Sequence, residues 1–330
     1  MKRKAFAAAL ALSMAFALAA CGSGQPSTGS SGGGASGPVA LKMATGGTGG
    51  TYYGFSGVVA QVLNEKLKDT LNITVEATGA SKANVQLVAA NESQIAIIQN
   101  DVMSYAYEAT DMFEGESPER SFGAVMSCYP EIVQIIASKS ITDIEGLKGK
   151  RVSVGDAGSG TEFNARQVLA AYGISFDDIV VNNQSFADSA DSIKNGTIDA
   201  AFVVAGAPTT AVTELATGYD FNLLSLDNAH IAALQSDYGF YTVVDIPGGT
   251  YSCVAGDVRT VAVMATIIAR NDVPEDAVYA LLKGMFDYKA DITAGHAKGE
   301  AIDLETAVSG ISIPFHPGAE KYFKEAGALK

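Results

Sequence analysis

The sequence predicts an α/β protein built on parallel sheets, with enough chain for about two domains. Short runs rich in β-branched residues alternate with helical patterns from about Val39 to Lys330. Strands that alternate with helices in this way are typical of parallel sheets, in which each helix crosses between neighbouring strands. The 330-residue chain is 48% hydrophobic and 18% charged, as expected of a protein that buries a large core.

The elements follow one another in order along this alternation. Strands are predicted where short apolar, β-branched runs end at turn-forming residues: Leu41–Ala44, Asn72–Glu76, Gln94–Ile98, Ile132–Ala137, Arg151–Val154, Ile179–Val181, Ala200–Val204 and Val261–Ala269. Helices are predicted where apolar residues recur at helical spacing: Phe55–Leu67, Ser81–Ala90, Asp101–Ala109, Thr161–Tyr172, Ser185–Lys194, Thr209–Ala216 and Pro274–Tyr288.

The first 20 residues have the pattern of a secretory signal. Basic residues Lys2 to Lys4 precede an apolar run that is too short to span a bilayer comfortably. At its end, Leu18-Ala19-Ala20-Cys21 resembles the lipobox of bacterial lipoproteins, which predicts a signal peptide over residues 1–20 and lipidation of Cys21. Residues 21–38, rich in Gly and Ser, then form a tether that anchors the protein to the cell membrane from outside. The alternative is an ordinary cleaved signal followed by an accidental cysteine.

The charge and the cysteine and histidine content limit the possible partners. The net charge is −14, and −17 once the three basic residues of the signal are removed, which argues against nucleic acid as a partner. Cys128 and Cys253 could form a disulfide in an oxidising compartment, or remain two separate buried thiols. His230, His296 and His316 lack metal-ligand spacing and are interpreted as solvated or hydrogen-bonded surface residues, so no metal or other cofactor is predicted.

Four loops between a strand and the following helix are made of small or polar residues: Thr45–Tyr53, Gln99–Asp101, Gly155–Thr161 and Ala205–Pro208. Ligands of open α/β sheets bind beyond the carboxyl ends of the strands, where such loops lie. Glycine allows close approach to the backbone, and the next helix offers unpaired N–H groups and a partial positive charge. Each loop is therefore a candidate anion site, although any one of them alone could be a tight turn without a ligand.

Nucleotide-binding and catalytic motifs do not fit these loops. If Gly47 opened a dinucleotide fingerprint, Tyr52 would stand where the third glycine belongs, and no loop ends in the Gly-Lys-Ser/Thr of a P-loop. Ser159 lies between Gly158 and Gly160, which is not the spacing of a nucleophile elbow. The sequence therefore offers no nucleotide-binding fingerprint and no nucleophile elbow in these loops.

The ordered set of these segments resembles the TAXI family, the solute-binding subunits of a class of TRAP transporters. The segments that carry the resemblance are Thr45–Tyr53, Val75–Ala83, Ile95–Asp101, Tyr129–Glu131, Asp143–Thr161, Gly196–Thr213, Ile246–Tyr251 and Pro314–Glu320. Ser252-Cys253 departs from the Pro-Gly-like residues expected after Thr250-Tyr251. The resemblance implies a two-lobed, type II periplasmic-binding-protein-like fold, with residues 39–127 plus 247–330 in the first lobe and 128–246 in the second. A small ligand would sit in the cleft between lobes that close by hinge motion.

The predicted ligand is a small carboxylate or a glutamate-like amino acid. None of the four loops contains Arg or Lys, so backbone N–H groups and hydroxyls would hold its carboxylate, and Arg166 is expected to be structural. A ligand amine could be balanced by Glu76, Asp101 or Glu162. The predicted ligand-binding residues are Gly47, Thr48, Gly49, Thr51, Tyr53, Thr78, Ser81, Gln99, Asn100, Gly158, Ser159, Gly160, Thr161 and Gly206, with Tyr52 as a further aromatic wall.

The resemblance also implies a partner, the membrane permease of a TRAP-type secondary transporter, and the protein itself is expected to be a monomer. Three other functions remain open: a ligand-presenting subunit of a sensor, a binding protein of an ATP-driven importer, and a secreted enzyme. The enzyme would need a nucleophile–base pair or a metal site, and the sequence offers neither.

Overall fold

The computed structural model describes residues 37–330 as two α/β lobes that share one ten-stranded sheet. The predicted signal peptide, Cys21 and nearly all of the tether lie outside the described residues and stay predictions. None of the helices in the described part of the chain is long and apolar enough to cross a membrane.

The observed elements match the predicted alternation, with shifts that matter for the site. The strands are β1 Val39–Ala44, β2 Leu71–Glu76, β3 Ile95–Gln99, β4 Phe122–Ala137, β5 Arg151–Ser153, β6 Val180–Asn182, β7 Ala200–Ala205, β8 Asn222–Leu223, β9 Thr242–Ile246 and β10 Val258–Arg270. The helices are α1 Thr51–Lys66, α2 Ser81–Ala89, α3 Asn100–Glu108, α4 Gly160–Ala171, α5 Phe186–Lys194, α6 Thr210–Ala216, α7 Asn228–Asp237, α8 Glu275–Asp287, α9 Lys289–Gly295, α10 Leu304–Val308 and α11 Pro317–Glu325. Helix α1 begins at Thr51 rather than Phe55, and β4 begins at Phe122 rather than Ile132.

The sheet order confirms the predicted α/β fold class and refines the prediction of parallel sheets. The strands run in the order β2-β1-β3-β10-β4-β7-β5-β6, with β8 paired to β4 and β9 to β10. The pairs within β2-β1-β3 and within β7-β5-β6 are parallel, as the βαβ pattern predicts. The two long central strands β4 and β10 are antiparallel to their neighbours.

Strands β4 and β10 carry the chain from one lobe to the other. The first half of β4 pairs with the end of β10, whereas its second half, from Ile132 to Ala137, pairs with β7. The first half of β10 pairs with β9 on the side of the second lobe. Tyr251 and Val258 accordingly pack in one cluster with Phe221, and we propose that residues 247–262 belong to the second lobe rather than to the first. We place the second crossing inside β10.

Each lobe has its own hydrophobic core. In the first lobe, Phe55 and Leu63 of α1 pack on the sheet together with Met285 of α8. In the second lobe, one cluster includes Val168 and Phe202, and a second cluster covers the other face of the sheet. Burial of such side chains stabilises each by about 1.5–3 kcal/mol, so each lobe holds its strand ends in fixed positions.

The cysteines and histidines lie where these cores place them. Cys128 is buried in the first core and Cys253 lies at the edge of a second-lobe cluster, and both are free thiols. Of the two arrangements that the sequence left open, the structure thus has separate thiols. The prediction of surface histidines is wrong for His316, which is buried and caps α11 by accepting the Gly318 N–H at its Nδ1.

Candidate functional site

Four helices from the two lobes begin at one small cavity in the cleft. Thr51, Ser81 and Asn100 are the first residues of α1, α2 and α3 in the first lobe, and Gly160 is the first residue of α4 in the second. The cavity is lined by Gly46, Gly50, Thr51, Tyr52, Ala80, Ser81, Gln99, Glu131, Gly160, Thr161, Phe186, Val204 and Ala205. Its volume of about 30 Å³ is enough for one or two water molecules. A larger ligand therefore requires the lobes to move apart.

The helix starts make this cavity favourable for an anion. The N-cap residues of α1, α2 and α3 make no side-chain capping hydrogen bond. In the first turn of α3, only the Val102 N–H donates to a side chain of the described residues, Asp101 Oδ1 at 2.9 Å. Helix α4 is capped differently: Ser159 Oγ accepts the Glu162 N–H at 3.1 Å, and Glu162 accepts the Gly158 N–H at 2.6 Å. The partial positive charge at the start of each helix adds to the same effect.

Several polar side-chain atoms at the cavity are buried without a partner. Tyr52 Oη, Gln99 Oε1 and Glu131 Oε1 have no hydrogen-bond partner within 3.5 Å among the described residues, although the Tyr52 hydroxyl lies near the Glu131 carboxyl. The three side chains are 7%, 2% and 2% exposed, respectively. Buried polar groups are normally hydrogen-bonded, because an unpartnered one costs about 1–3 kcal/mol. Such atoms around one cavity are typical of a site that binds a polar ligand.

Glu131 is the functional candidate that the sequence analysis missed. It follows Pro130 at the point where β4 passes between the lobes, which puts its carboxyl at the floor of the cleft. Burial raises its pKa to about 8, against smaller lowering effects from the Tyr52 hydroxyl and the Lys298 ammonium. The sequence did contain a signal for Glu131, because it is a single carboxylate within the apolar strand β4. Such residues are rarely buried without a partner.

The lobes touch each other beside the cavity. Thr51 Oγ1 donates to the Gly206 carbonyl at 2.9 Å, and the Ala211 N–H donates to the Gly49 carbonyl at 3.1 Å. Lys298, from the short 3-10 helix Ala297–Ala301, donates to the Ala207 carbonyl at 2.6 Å. These bonds join the first lobe to the β7–α6 region of the second, so the described conformation is closed.

A second contact between the lobes is a buried polar chain. The Asn164 amide donates to Asp101 Oδ2 at 2.9 Å and to Tyr241 Oη at 2.8 Å. The Tyr241 hydroxyl donates to Gln167 Oε1 at 2.6 Å, and the Gln167 amide donates to Tyr105 Oη at 3.3 Å. Burial raises the pKa of Asp101 to about 6, and the hydrogen bond from Asn164 partly offsets this. Asp101 is thus occupied in joining the lobes.

The structure brings some of the predicted site residues together at the cavity. Five line it: Thr51, Ser81, Gln99, Gly160 and Thr161. Gly206 lies beside it, because its carbonyl accepts from Thr51 and its amide faces Glu131. Gly160 is held close to Gln99, since a Cβ there would lie 1.8 Å from Gln99 Oε1.

The other predicted residues build the surrounding loops. Thr48 is exposed, and Tyr53 is half-buried outside the cavity while Tyr52 lines it. Thr78 fixes a turn by donating to the Thr45 carbonyl at 2.9 Å, and Asn100 ties its loop to β10 by accepting the Met264 N–H at 2.9 Å. The cavity lining likewise excludes Gly47, Gly49, Gly158 and Ser159.

The charged residues considered for the ligand have other partners. Glu76 pairs with Lys42 at 2.9 Å, and Glu162 is part of the α4 cap. Arg166 is exposed and its guanidinium lies 3.9 Å from the Phe176 ring centroid, as expected of a structural residue. The described residues contain no group of three or more His, Cys, Asp or Glu that could hold a metal ion.

Comparisons with known proteins agree with this architecture. Residues 43–327 match the model of the NMT1-like family. The alkanesulfonate-binding protein SsuA from Xanthomonas axonopodis pv. citri, solved with MOPS, has a TM-score of 0.51 at 16% identity, over 88% of this chain and 85% of its own. A periplasmic transporter structure gives 0.53 at 15% identity, over 87% and 92%. A binding component of an ABC phosphonate transporter from Pseudomonas aeruginosa gives 0.50 at 12% identity, over 79% and 78%. At these identities the likeness shows the fold alone, which is the two-lobed, type II-like fold of periplasmic binding proteins.

Proposed function

The chain belongs to the NMT1-like family, and we propose that it is an extracytoplasmic solute-binding protein that captures a small carboxylate or amino acid. The ligand enters between open lobes and is enclosed when they close by hinge motion. The resemblance to the TAXI family makes a TRAP-type permease the proposed recipient of the ligand. No chemical reaction is part of this function.

One observation carries the proposal: helix starts from both lobes converge on a cavity whose lining holds buried, unpartnered polar atoms. The first lobe contributes the starts of α1, α2 and α3, and the second contributes Gly160 and Thr161 of α4. A carboxylate bound there contacts both lobes at once, so its binding energy favours the closed form. This coupling is what a capture-and-release protein needs.

A ligand screen tests the proposal. The mature protein without its lipid is examined by thermal unfolding against the twenty L-amino acids, succinate, glutarate and 2-oxoglutarate, with propanesulfonate and methylphosphonate as other anions. A ligand at one hundred times its Kd stabilises the folded state by about 2.7 kcal/mol, which raises the Tm of a protein of this size by about 5 °C. We expect such a shift with at least one carboxylate, and a response to the sulfonate or phosphonate alone would contradict the proposal.

A binding protein for an ATP-driven importer is the second candidate, because proteins of this fold include a component of an ABC phosphonate transporter. The gene beside this one distinguishes the two candidates: a large polytopic permease indicates a secondary transporter, and an ATPase indicates an importer. The same observation addresses a sensor partner, for which a receptor gene would be expected.

The proposed anchor is tested separately. Cys21→Ser should release the protein from the membrane fraction, because the lipid is the only attachment proposed. Mass spectrometry of the mature wild-type protein should show the added lipid on Cys21. Retention of the variant in membranes with unchanged mass would contradict the anchor.

A further inference from the structure

We infer that Glu131 recognises a protonated amine, so that the ligand is a zwitterion carrying both an ammonium group and a carboxylate. This inference rests on the proposed function and narrows its ligand class. Glu131 is 2% exposed, and its Oε1 is unpartnered in the wall of the cavity. A carboxylate buried in this way is costly unless a positive charge or a proton reaches it.

The protein does not supply that positive charge by direct contact. In the described part of the chain no Lys, Arg or His nitrogen forms an ion pair with Glu131 within 4.0 Å. Lys298 is the nearby cation, but its ammonium donates to the Ala207 carbonyl across the cleft. Its attraction lowers the pKa of Glu131 only in part. A cationic group on the ligand would complete the pair.

The atoms that line the cavity beside Glu131 also favour a hydrogen-bond donor on the ligand. Gln99 Oε1 is a second buried acceptor without a partner, and it belongs to the same cavity. A ligand carboxylate in this place would meet the acceptor oxygen of Gln99 and would be repelled by Glu131 whenever Glu131 is ionised. An ammonium group has three N–H donors and can satisfy both oxygens, while the ligand carboxylate faces the helix starts.

Binding of a ligand amine and binding of a plain carboxylate should differ in how they affect the proton on Glu131. The titratable and charged groups around Glu131 are Tyr52 on α1, Asp101 on α3, Cys128 and Tyr129 on β4, and Lys298. Burial keeps the pKa of Tyr52 and Tyr129 well above 10, and that of Cys128 is raised as well. Burial also lowers the pKa of Lys298 from its usual value. Glu131, with a pKa of about 8, titrates between pH 7 and 9. An ammonium ligand must displace its proton, whereas a plain carboxylate retains it.

The test uses the tightest L-amino acid of the ligand screen, its deaminated carboxylic acid and its α-carboxamide, titrated calorimetrically at pH 7. We expect the deaminated acid to bind about 10- to 100-fold more weakly, the loss typical of a charge-assisted hydrogen bond. Glu131→Gln should weaken the amino acid by a similar factor and leave the deaminated acid unchanged. Glu76→Gln is the matched control, and it should change neither affinity.

Calorimetric titration in two buffers of different ionisation enthalpy measures how many protons are released or taken up when the ligand binds. Binding of the amino acid should release close to one proton at pH 7 in the wild type and almost none in Glu131→Gln. Equal affinity for the amino acid and the deaminated acid, or proton uptake on binding, would overturn the inference while the proposed function stands. Undiminished binding of the α-carboxamide would count against the proposed carboxylate site instead. If no amino acid binds and a plain carboxylate does, the inference is again wrong.

Discussion

Thr51→Val tests whether closure of the lobes contributes to ligand affinity. Thr51 Oγ1 donates to the Gly206 carbonyl across the cleft at 2.9 Å, and both residues are buried. In an open form this hydroxyl would be hydrated, so the substitution acts mainly on the closed form. Valine preserves the shape of the side chain and removes the donor.

The expected loss of affinity depends on which hydrogen bonds the Gly206 carbonyl retains in the variant. Gly206 O also accepts from Thr209 Oγ1 at 3.1 Å, so loss of Thr51 leaves it with one partner. The cost is then that of one ordinary hydrogen bond, about 0.5–1.5 kcal/mol, and not that of an orphaned buried acceptor. This corresponds to an affinity about two- to tenfold lower.

Calorimetric titration with the tightest ligand of the screen measures this effect. Thr51→Ser keeps the hydroxyl and should bind within about twofold of the wild type. Thr48→Val removes an exposed hydroxyl from the same loop and should be silent. Wild-type affinity in Thr51→Val, or an equal loss in Thr48→Val, would refute the assignment of this bond to the closed, ligand-bound form.

Three further changes test other parts of the site. Gly206→Ala places a Cβ 3.0 Å from Thr51 Cγ2 and 3.2 Å from the ring of Tyr129, both buried, besides 2.6 Å from the flexible end of Lys298, so affinity should fall about tenfold. Gly218→Ala, with open space around it, should bind normally in the same titration. Thr161→Val should weaken binding about tenfold to a hundredfold by loss of a buried donor, and Arg166→Gln should not; the reverse result would make Arg166 the carboxylate clamp. Glu131 has a pKa of about 8 in the folded state, above its ordinary 4.5, so its contribution to the free energy of unfolding falls as pH rises from about 5 to 8. Asp101, with a pKa of about 6, adds a fall only up to about pH 6, so the slope between pH 6 and 8 reports on Glu131. Glu131→Gln should flatten this part of the profile in denaturant titrations, and unchanged slopes would show that Glu131 is not the titrating group.

The periodic parts of the sequence were sufficient to predict the fold class. The βαβ order of β1 to β3 and of β5 to β7 is local, because each strand and its following helix carry their own apolar pattern. The long strands β4 and β10 were predicted only in part. Both are apolar almost throughout, and which half pairs in which lobe is decided by partners far away in the chain.

The site was predictable to the extent that it consists of loops before helices. The small and polar residues of the loop Gly155–Thr161 predicted that a helix begins there. Helix α4 does begin at Gly160, and both Gly160 and Thr161 line the cavity. Thr48 and Tyr53 lie outside the cavity lining, since α1 begins at Thr51 and its first turn brings Tyr52 to the cavity. Glu131 was missed because its position depends on the crossing of β4 between the lobes, which is a tertiary feature.

A crystal structure of the protein with the tightest ligand of the screen tests the central claim most directly. We predict one ligand in the cleft, with its carboxylate within hydrogen-bond distance of N–H groups at the starts of helices from both lobes. Its amine should contact Glu131, and the lobes should be closed through Thr51 and Gly206. A ligand bound elsewhere, or one that touches a single lobe only, would contradict the account.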